Sequence, residues 1–214
     1  MRKFLISLLL PILFAGFTAF DSRADVNVGI AADKDGIREF HLSIGTHYGV
    51  KEREIEKVRA RSLPDDEMAV VFFLSSRTGI SPVVLVDLRL GGISWMDITF
   101  RYGLTAELYY VRFASDPGPP YGNAWGHYKK IPRKKWGKIQ LADDDIINLV
   151  NLKFLAEKHQ CSPEKIVRMK KQGKSFANMH TEFKKAKAEK EQKKAIAKKS
   201  SDGKAKGKKG KGKK

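Results

Sequence analysis

Two Ser-Pro pairs eighty-one residues apart, Ser81-Pro82 and Ser162-Pro163, set the frame in which this chain has to fold. Laid on itself at that offset, residues 64–102 align with 145–183. The identities are Phe73/Phe154, Leu74/Leu155, Ser81/Ser162, Pro82/Pro163, Val86/Val167, Gly92/Gly173 and Ser94/Ser175. Conservative pairs such as Leu88/Met169, Arg89/Lys170, Trp95/Phe176, Ile98/Met179 and Tyr102/Phe183 fill the intervals. Matches at punctuation and apolar positions are what a duplicated unit retains, because those positions set turns and core.

Each unit reads as three helices. The first spans about 66–77 and 145–158. Val70-Val71-Phe72-Phe73 alone resembles a strand, but Ile146, Leu149, Val150, Leu152 and Phe154-Leu155 carry helical spacing after an acidic start at Asp143 to Asp145. Serine followed by proline places an N-cap before an N1 residue and opens the second helix. That helix stops at Gly91-Gly92 or Gly173, where glycine accepts a left-handed backbone. Ser94 with Asp97 forms a start like a capping box for the third helix, Trp95 to Tyr102.

A fainter echo lies at an offset of thirty, with Tyr48-Gly49-Val50 and the following Glu52–Arg61 helix over Thr78-Gly79-Ile80 and Pro82–Leu90. Tyr102-Gly103 begins another such turn. The fold class expected is therefore all-α, an array of short helices in duplicated units that resemble helix-turn-helix elements. Cys161, the single cysteine, stands where Ile80 and Val50 stand, so a buried side chain is expected there. A single cysteine forms no intramolecular disulfide and no zinc site based on thiolates.

The second helix of a DNA-reading pair exposes Arg, Asn, Gln or Ser to base edges. Residues 95–102 offer only Thr99 and Arg101, while the second unit offers Asn178, His180 and Lys184. Packing is the better reading of both.

Between the units lies residues 114–140, expected to be an irregular loop because 116–138 holds four prolines and four glycines. Tyr121, Trp125, Tyr128 and Trp136 alternate there with Lys129, Lys130, Arg133, Lys134, Lys135 and Lys138. Aromatic faces with cations can stack on and neutralise a glycan or single-stranded nucleic acid. The same pattern also suits a linker whose aromatics lie on the helical body while its lysines stay solvated. The residues alone leave both readings open.

Charge is concentrated at the carboxyl end. Of the formal +18, residues 184–214 carry +12, from fifteen lysines against Glu189, Glu191 and Asp202, and residues 25–183 carry +4. Residues 184–199 suit a solvated helix. Beyond Ser200 the composition, with Lys204, Lys206, Lys208, Lys209, Lys211, Lys213 and Lys214, is that of a disordered tail like those of linker histones. Such runs bind polyanions through counterion release with little sequence preference. A purely solubilising tail is the plainer alternative.

At the other end, Arg2 and Lys3 precede an apolar run from Phe4 to Phe20 and then Asp21-Ser22-Arg23-Ala24. This is the pattern of a signal peptide, with cleavage expected between Ala24 and Asp25. An uncleaved anchor is the alternative, although Pro11 and Gly16 interrupt the run. The organisation expected is thus a signal over 1–24, a linker over 25–39, a helical domain over 40–183 and a basic tail over 184–214.

Motifs for catalysis or metal binding are missing from the sequence. The histidines at 41, 47, 127, 159 and 180 make no HExxH, and no GxSxG, GxGxxG or P-loop occurs. Asp33-Lys34-Asp35-Gly36 fails as a calcium loop, since positions 1 and 12 would be Ala31 and Leu42. No cofactor, and no enzymatic role, is expected.

Tyr48-Gly49-Val50, Gly92-Ile93-Ser94-Trp95-Met96-Asp97-Ile98, Gly118-Pro119-Pro120-Tyr121-Gly122 and Leu141-Ala142-Asp143-Asp144-Asp145-Ile146 together resemble an uncharacterised family of signal-bearing proteins exported by Gram-negative bacteria. The resemblance covers residues 40–183. It implies a periplasmic or secreted protein of helical build, and it carries over no activity and no functional residue. The expectation is a non-catalytic envelope protein whose tail and central segment bind anionic polymers such as lipopolysaccharide phosphates or polysaccharide. The alternatives are a nucleic-acid-binding protein and an enzyme without a recognisable motif.

Overall fold

A computed structural model describes the backbone of residues 34–207 and the side-chain surroundings of 34–197. The signal segment, the Ala24–Asp25 junction, residues 25–33 of the linker, and Lys208, Lys209, Lys211, Lys213 and Lys214 lie outside the described residues. Among the described residues the chain is all-α, with no strand.

The helices are α1 Lys34–His47, α2 Glu52–Arg59, α3 Met68–Thr78, α4 Pro82–Leu90, α5 Trp95–Arg101, α6 Gly122–Lys130, α7 Asp143–His159, α8 Pro163–Lys171 and α9 Phe176–Gly207. Short 3₁₀ turns cover Asp65–Glu67, Ala106–Tyr109 and Arg133–Lys138. The strand-like run of α3 is helical because it is central: Met68 to Leu74 are all buried, enclosed by α1, α4 and α7. A helix apolar all round needs neighbours on every side, and these three supply them.

Turn chemistry repeats through the chain. Gly49, Gly79 and Gly103 have φ near +75°, and Gln160 takes the same left-handed conformation where the eighty-one-residue register puts it opposite Gly79. The amide after the left-handed residue reaches back to the carbonyl five positions earlier, Val50 to Gly45, Leu104 to Thr99 and Cys161 to Ala156, which is the Schellman closure of a helix end. The apolar residue that follows each turn packs on the core. Helices α4 and α8 share bounds at the eighty-one-residue offset, α5 and α9 share their first residue, and Gly92 and Gly173 are both left-handed. Their companions diverge, since α7 is longer than α3 and α9 far longer than α5.

Three expectations change. The linker ends earlier than 39, because α1 begins at Lys34 and buries Phe40, His41 and Ile44. Residues 114–140 are not irregular throughout: Pro117, Pro119 and Pro120 lie before α6 and Pro132 lies between α6 and the following 3₁₀ turn, so no proline interrupts either helix. The helix that suits residues 184–199 runs further than composition implies, since α9 continues past Ser200, where a disordered tail is expected, to Gly207 through a stretch rich in Lys and Ala, both good helix formers. Its root is packed: Phe176, Met179, His180 and Phe183 form an i, i+3, i+4, i+7 stripe in the core, while every residue from Lys184 to Ala197 is exposed.

Candidate functional site

The segment between α5 and α7 carries the features that distinguish this surface. Helix α6 forms from Gly122 to Lys130, buries Ala124 and Tyr128, and turns Trp125 and Lys129 outward. The Tyr128 hydroxyl donates to the Ala106 carbonyl at 2.6 Å, and the Trp136 indole N–H donates to the Ile131 carbonyl at 2.8 Å. Tyr110, Tyr128 and Trp136 stack on one another, with the Tyr110 and Trp136 ring centres 4.5 Å apart. Tyr121 lies buried against Phe113.

The predicted aromatics therefore divide. Tyr121, Tyr128 and Trp136 are buried, as the linker reading has it, although Tyr128 and Trp136 still border the groove beside α6. Trp125 is half-buried, contacts no other aromatic ring among the described residues, and carries the Lys129 ammonium 4.4 Å above its ring. The basic residues stay outside. Lys129, Lys130, Lys134, Lys135 and Lys138 are exposed and make no ion pair among the described residues, whereas Arg133 pairs with Glu107 at 3.2 Å. The backbone at Lys204 and Lys206 belongs to α9, remote in sequence from this face.

Trp125, Tyr128, Lys129 and Trp136 line an open groove of about 610 Å³ with Tyr110, Ala114, Ser115 and Asp116. That volume lies in the range of small-ligand sites. Asp116 is exposed, and its Oδ1 accepts the Gly118 amide at 2.8 Å, which fixes the carboxylate at the mouth of the loop before α6. Tyr110 and Asp116 escaped the sequence reading. The Tyr109-Tyr110 pair was a visible aromatic signal, but nothing local to it says that it folds under α6.

Elsewhere the polar groups are structural. Glu67, almost buried, accepts from Arg89 Nε and from the Trp95 indole, both at 2.6 Å, while Arg89 also pairs with Asp143 at 2.5 Å. Asp143 further accepts the Trp95 amide at 2.7 Å. The acidic start of α7 thus does more than cap a helix: it ties α4, α5 and α7 together, and the neighbouring carboxylates raise the Arg89 pKa against its burial. The helix-turn-helix resemblance gains no reading face. Thr99 is buried and bonded to Trp95 and Tyr109, and His180 is buried against Phe40 and Phe154.

His159 and His180 meet, Nε2 to Nδ1, at 3.0 Å, and burial lowers both to about 4. Cys161 is half-buried rather than fully buried, and burial raises its thiol pKa. Among the described residues no group of three or more His, Cys, Asp or Glu side chains is placed to hold a metal ion. Nor, among them, is any helix long and apolar enough to cross a membrane. No protein-family profile, curated protein or solved structure matches this chain.

Proposed function

We propose that the protein is an exported, non-catalytic component of a Gram-negative envelope, periplasmic or secreted, in which a helical scaffold presents cations to anionic polymers. The supporting observation is the set of lysines left without counter-charges. Lys185, Lys187, Lys190, Lys193 and Lys194 on α9, and Lys129, Lys130, Lys134, Lys135 and Lys138 on the α6 face, are exposed and outside every ion pair among the described residues. A folded domain that holds so many solvated cations on two elements attracts polyanions by counterion release. Export rests on the Arg2-Lys3 and Phe4–Phe20 pattern.

The test is retention of the mature full-length protein on immobilised lipopolysaccharide and on duplex DNA over a salt series, alongside a form lacking residues 184–214. Preferential retention on lipopolysaccharide, with a salt slope that falls when the tail is removed, is expected. Tighter retention on DNA favours the alternative of nucleic-acid binding. Retention on neither matrix at low salt ends the reading, and recovery of an unprocessed chain from the cytoplasm ends its export.

A further inference from the structure

The groove beside α6 combines three chemistries that a simple polyanion site does not need together. Trp125 offers an aromatic ring not buried in the neighbouring stack. Asp116 sets a carboxylate, held by the Gly118 amide, into the groove wall. Lys129 places an ammonium above the Trp125 ring, and the 3₁₀ turn that brings Trp136 to the groove carries exposed Lys134, Lys135 and Lys138.

We infer that this groove is a binding site for an acidic oligosaccharide, with one sugar ring taking the place of the Lys129 ammonium on Trp125, ring hydroxyls donating to Asp116, and the acidic substituents met by the displaced Lys129 and its neighbours. The assignment rests on the polyanion reading above and narrows it to one ligand class at one place.

Two features favour a sugar over a nucleic-acid strand. Sequence-tolerant strand binding uses a series of aromatic platforms, one for each successive base. Here the Tyr110, Tyr128 and Trp136 rings cover each other, and Trp125 alone stands apart from the stack. A fixed carboxylate is also a strong acceptor for hydroxyl groups, which a sugar offers on its rings and the internal nucleotides of a deoxy strand do not. An anionic sugar needs both the acceptor and the cations.

Tryptophan emission tests this directly, because Trp95 and Trp136 are buried and Trp125 is the half-buried one. The full-length protein is titrated with a heparin tetrasaccharide, with neutral maltotetraose and with an eight-residue oligothymidylate. Expected are an emission change with the heparin fragment, at least about fivefold weaker binding of the other two, and loss of most of that change in Trp125→Phe, since Trp136, buried at the groove wall, contributes the remainder. Asp116→Asn, which keeps the acceptor for the Gly118 amide, weakens binding of the heparin fragment by about fivefold, while removal of residues 184–214 leaves the emission response in place.

If Asp116→Asn tightens binding, or the oligothymidylate binds as well as the sugar, the groove is a plain polyanion surface and the sugar assignment fails. If no probe changes the emission although the full chain is held on heparin through residues 184–214, the groove is not a site, yet the polyanion reading stands. If heparin fails to retain the chain at low salt, both fail together.

Discussion

Glu67 is a nearly buried charge whose loss the fold should feel strongly. Its carboxylate is the only hydrogen-bond acceptor of the Trp95 indole N–H among the described residues, and Trp95 is completely buried. Replacing Glu67 with alanine leaves that donor without a partner, which costs about 1–3 kcal/mol. Arg89 simultaneously loses one of two carboxylates, but its side chain keeps Asp143 and is 20 % exposed, so the lost charged hydrogen bond adds about 1–2 kcal/mol rather than the full cost of a stranded buried charge. The expected destabilisation of Glu67→Ala is therefore about 2–5 kcal/mol. With a urea slope of about 2 kcal/mol per molar, the midpoint followed by circular dichroism at 222 nm moves down by about 1–2.5 M. Glu67→Gln keeps an oxygen for the indole and loses only the charge, so it should fall about half as far. Arg61→Ala breaks a pair exposed on both sides, Arg61 with Asp87, and should leave the midpoint where it is. A Glu67→Ala shift no larger than that of Arg61→Ala refutes the claim that this network holds α4, α5 and α7 in place.

The neutral His159–His180 pair makes stability depend on acid. Because the folded values, about 4, lie below the ordinary 6.5, the unfolded chain binds more protons between those limits; the contribution is complete above about pH 6.5 and drains away as pH falls toward 4. His41, lowered mainly by burial, acts in the same direction. The urea midpoint should fall from pH 7 to pH 5 and fall less steeply in His159→Gln/His180→Phe, whereas equal slopes in the two proteins contradict the pairing. Cys161, half-buried with its Sγ against the Leu155 carbonyl at 3.9 Å and its thiol pKa raised, should react with a disulfide reagent at pH 8 at least about tenfold more slowly in the native state than in urea. Equal rates would show an open thiol. A chain ended after Phe183 should keep the unfolding midpoint of the full protein while losing 222 nm signal, since the core contacts of α9 stop there; a lowered midpoint would reveal packing by the distal helix.

Legibility in the sequence followed the kind of signal each element carries. Ser81-Pro82, Ser162-Pro163, Gly92 and Gly173 are local instructions, and α4 and α8 start and stop where those residues say. The stripe of Phe176, Met179 and Phe183 was readable as the root of a helix for the same reason. Residues 116–138 were harder, because prolines counted over a window hide the point that they sit between helices and not inside them. Which aromatics of that segment face inward depends on Tyr110 and the Ala106 carbonyl, partners supplied by tertiary contact. Asp143 shows the limit from another side. An aspartate at a helix start has a sufficient local explanation, so its bonds to Arg89 and to the Trp95 amide, across 54 and 48 residues, leave no trace in the composition around it.

The reach of α9 beyond its packed root has a consequence for the proposed polyanion binding. Residues 184–207 rise about 1.5 Å each, so the far end stands about 36 Å beyond Phe183, more than four screening lengths in physiological salt. Charge at the tip is therefore electrostatically out of touch with the body, and the helix acts as a boom, not as an extension of one basic patch. A short acidic fragment can occupy one end at a time. On the proposed polyanion reading, a polymer long enough to bridge boom and body would engage both and bind far more tightly per chain, so affinity plotted against ligand length should show a step and not a smooth rise.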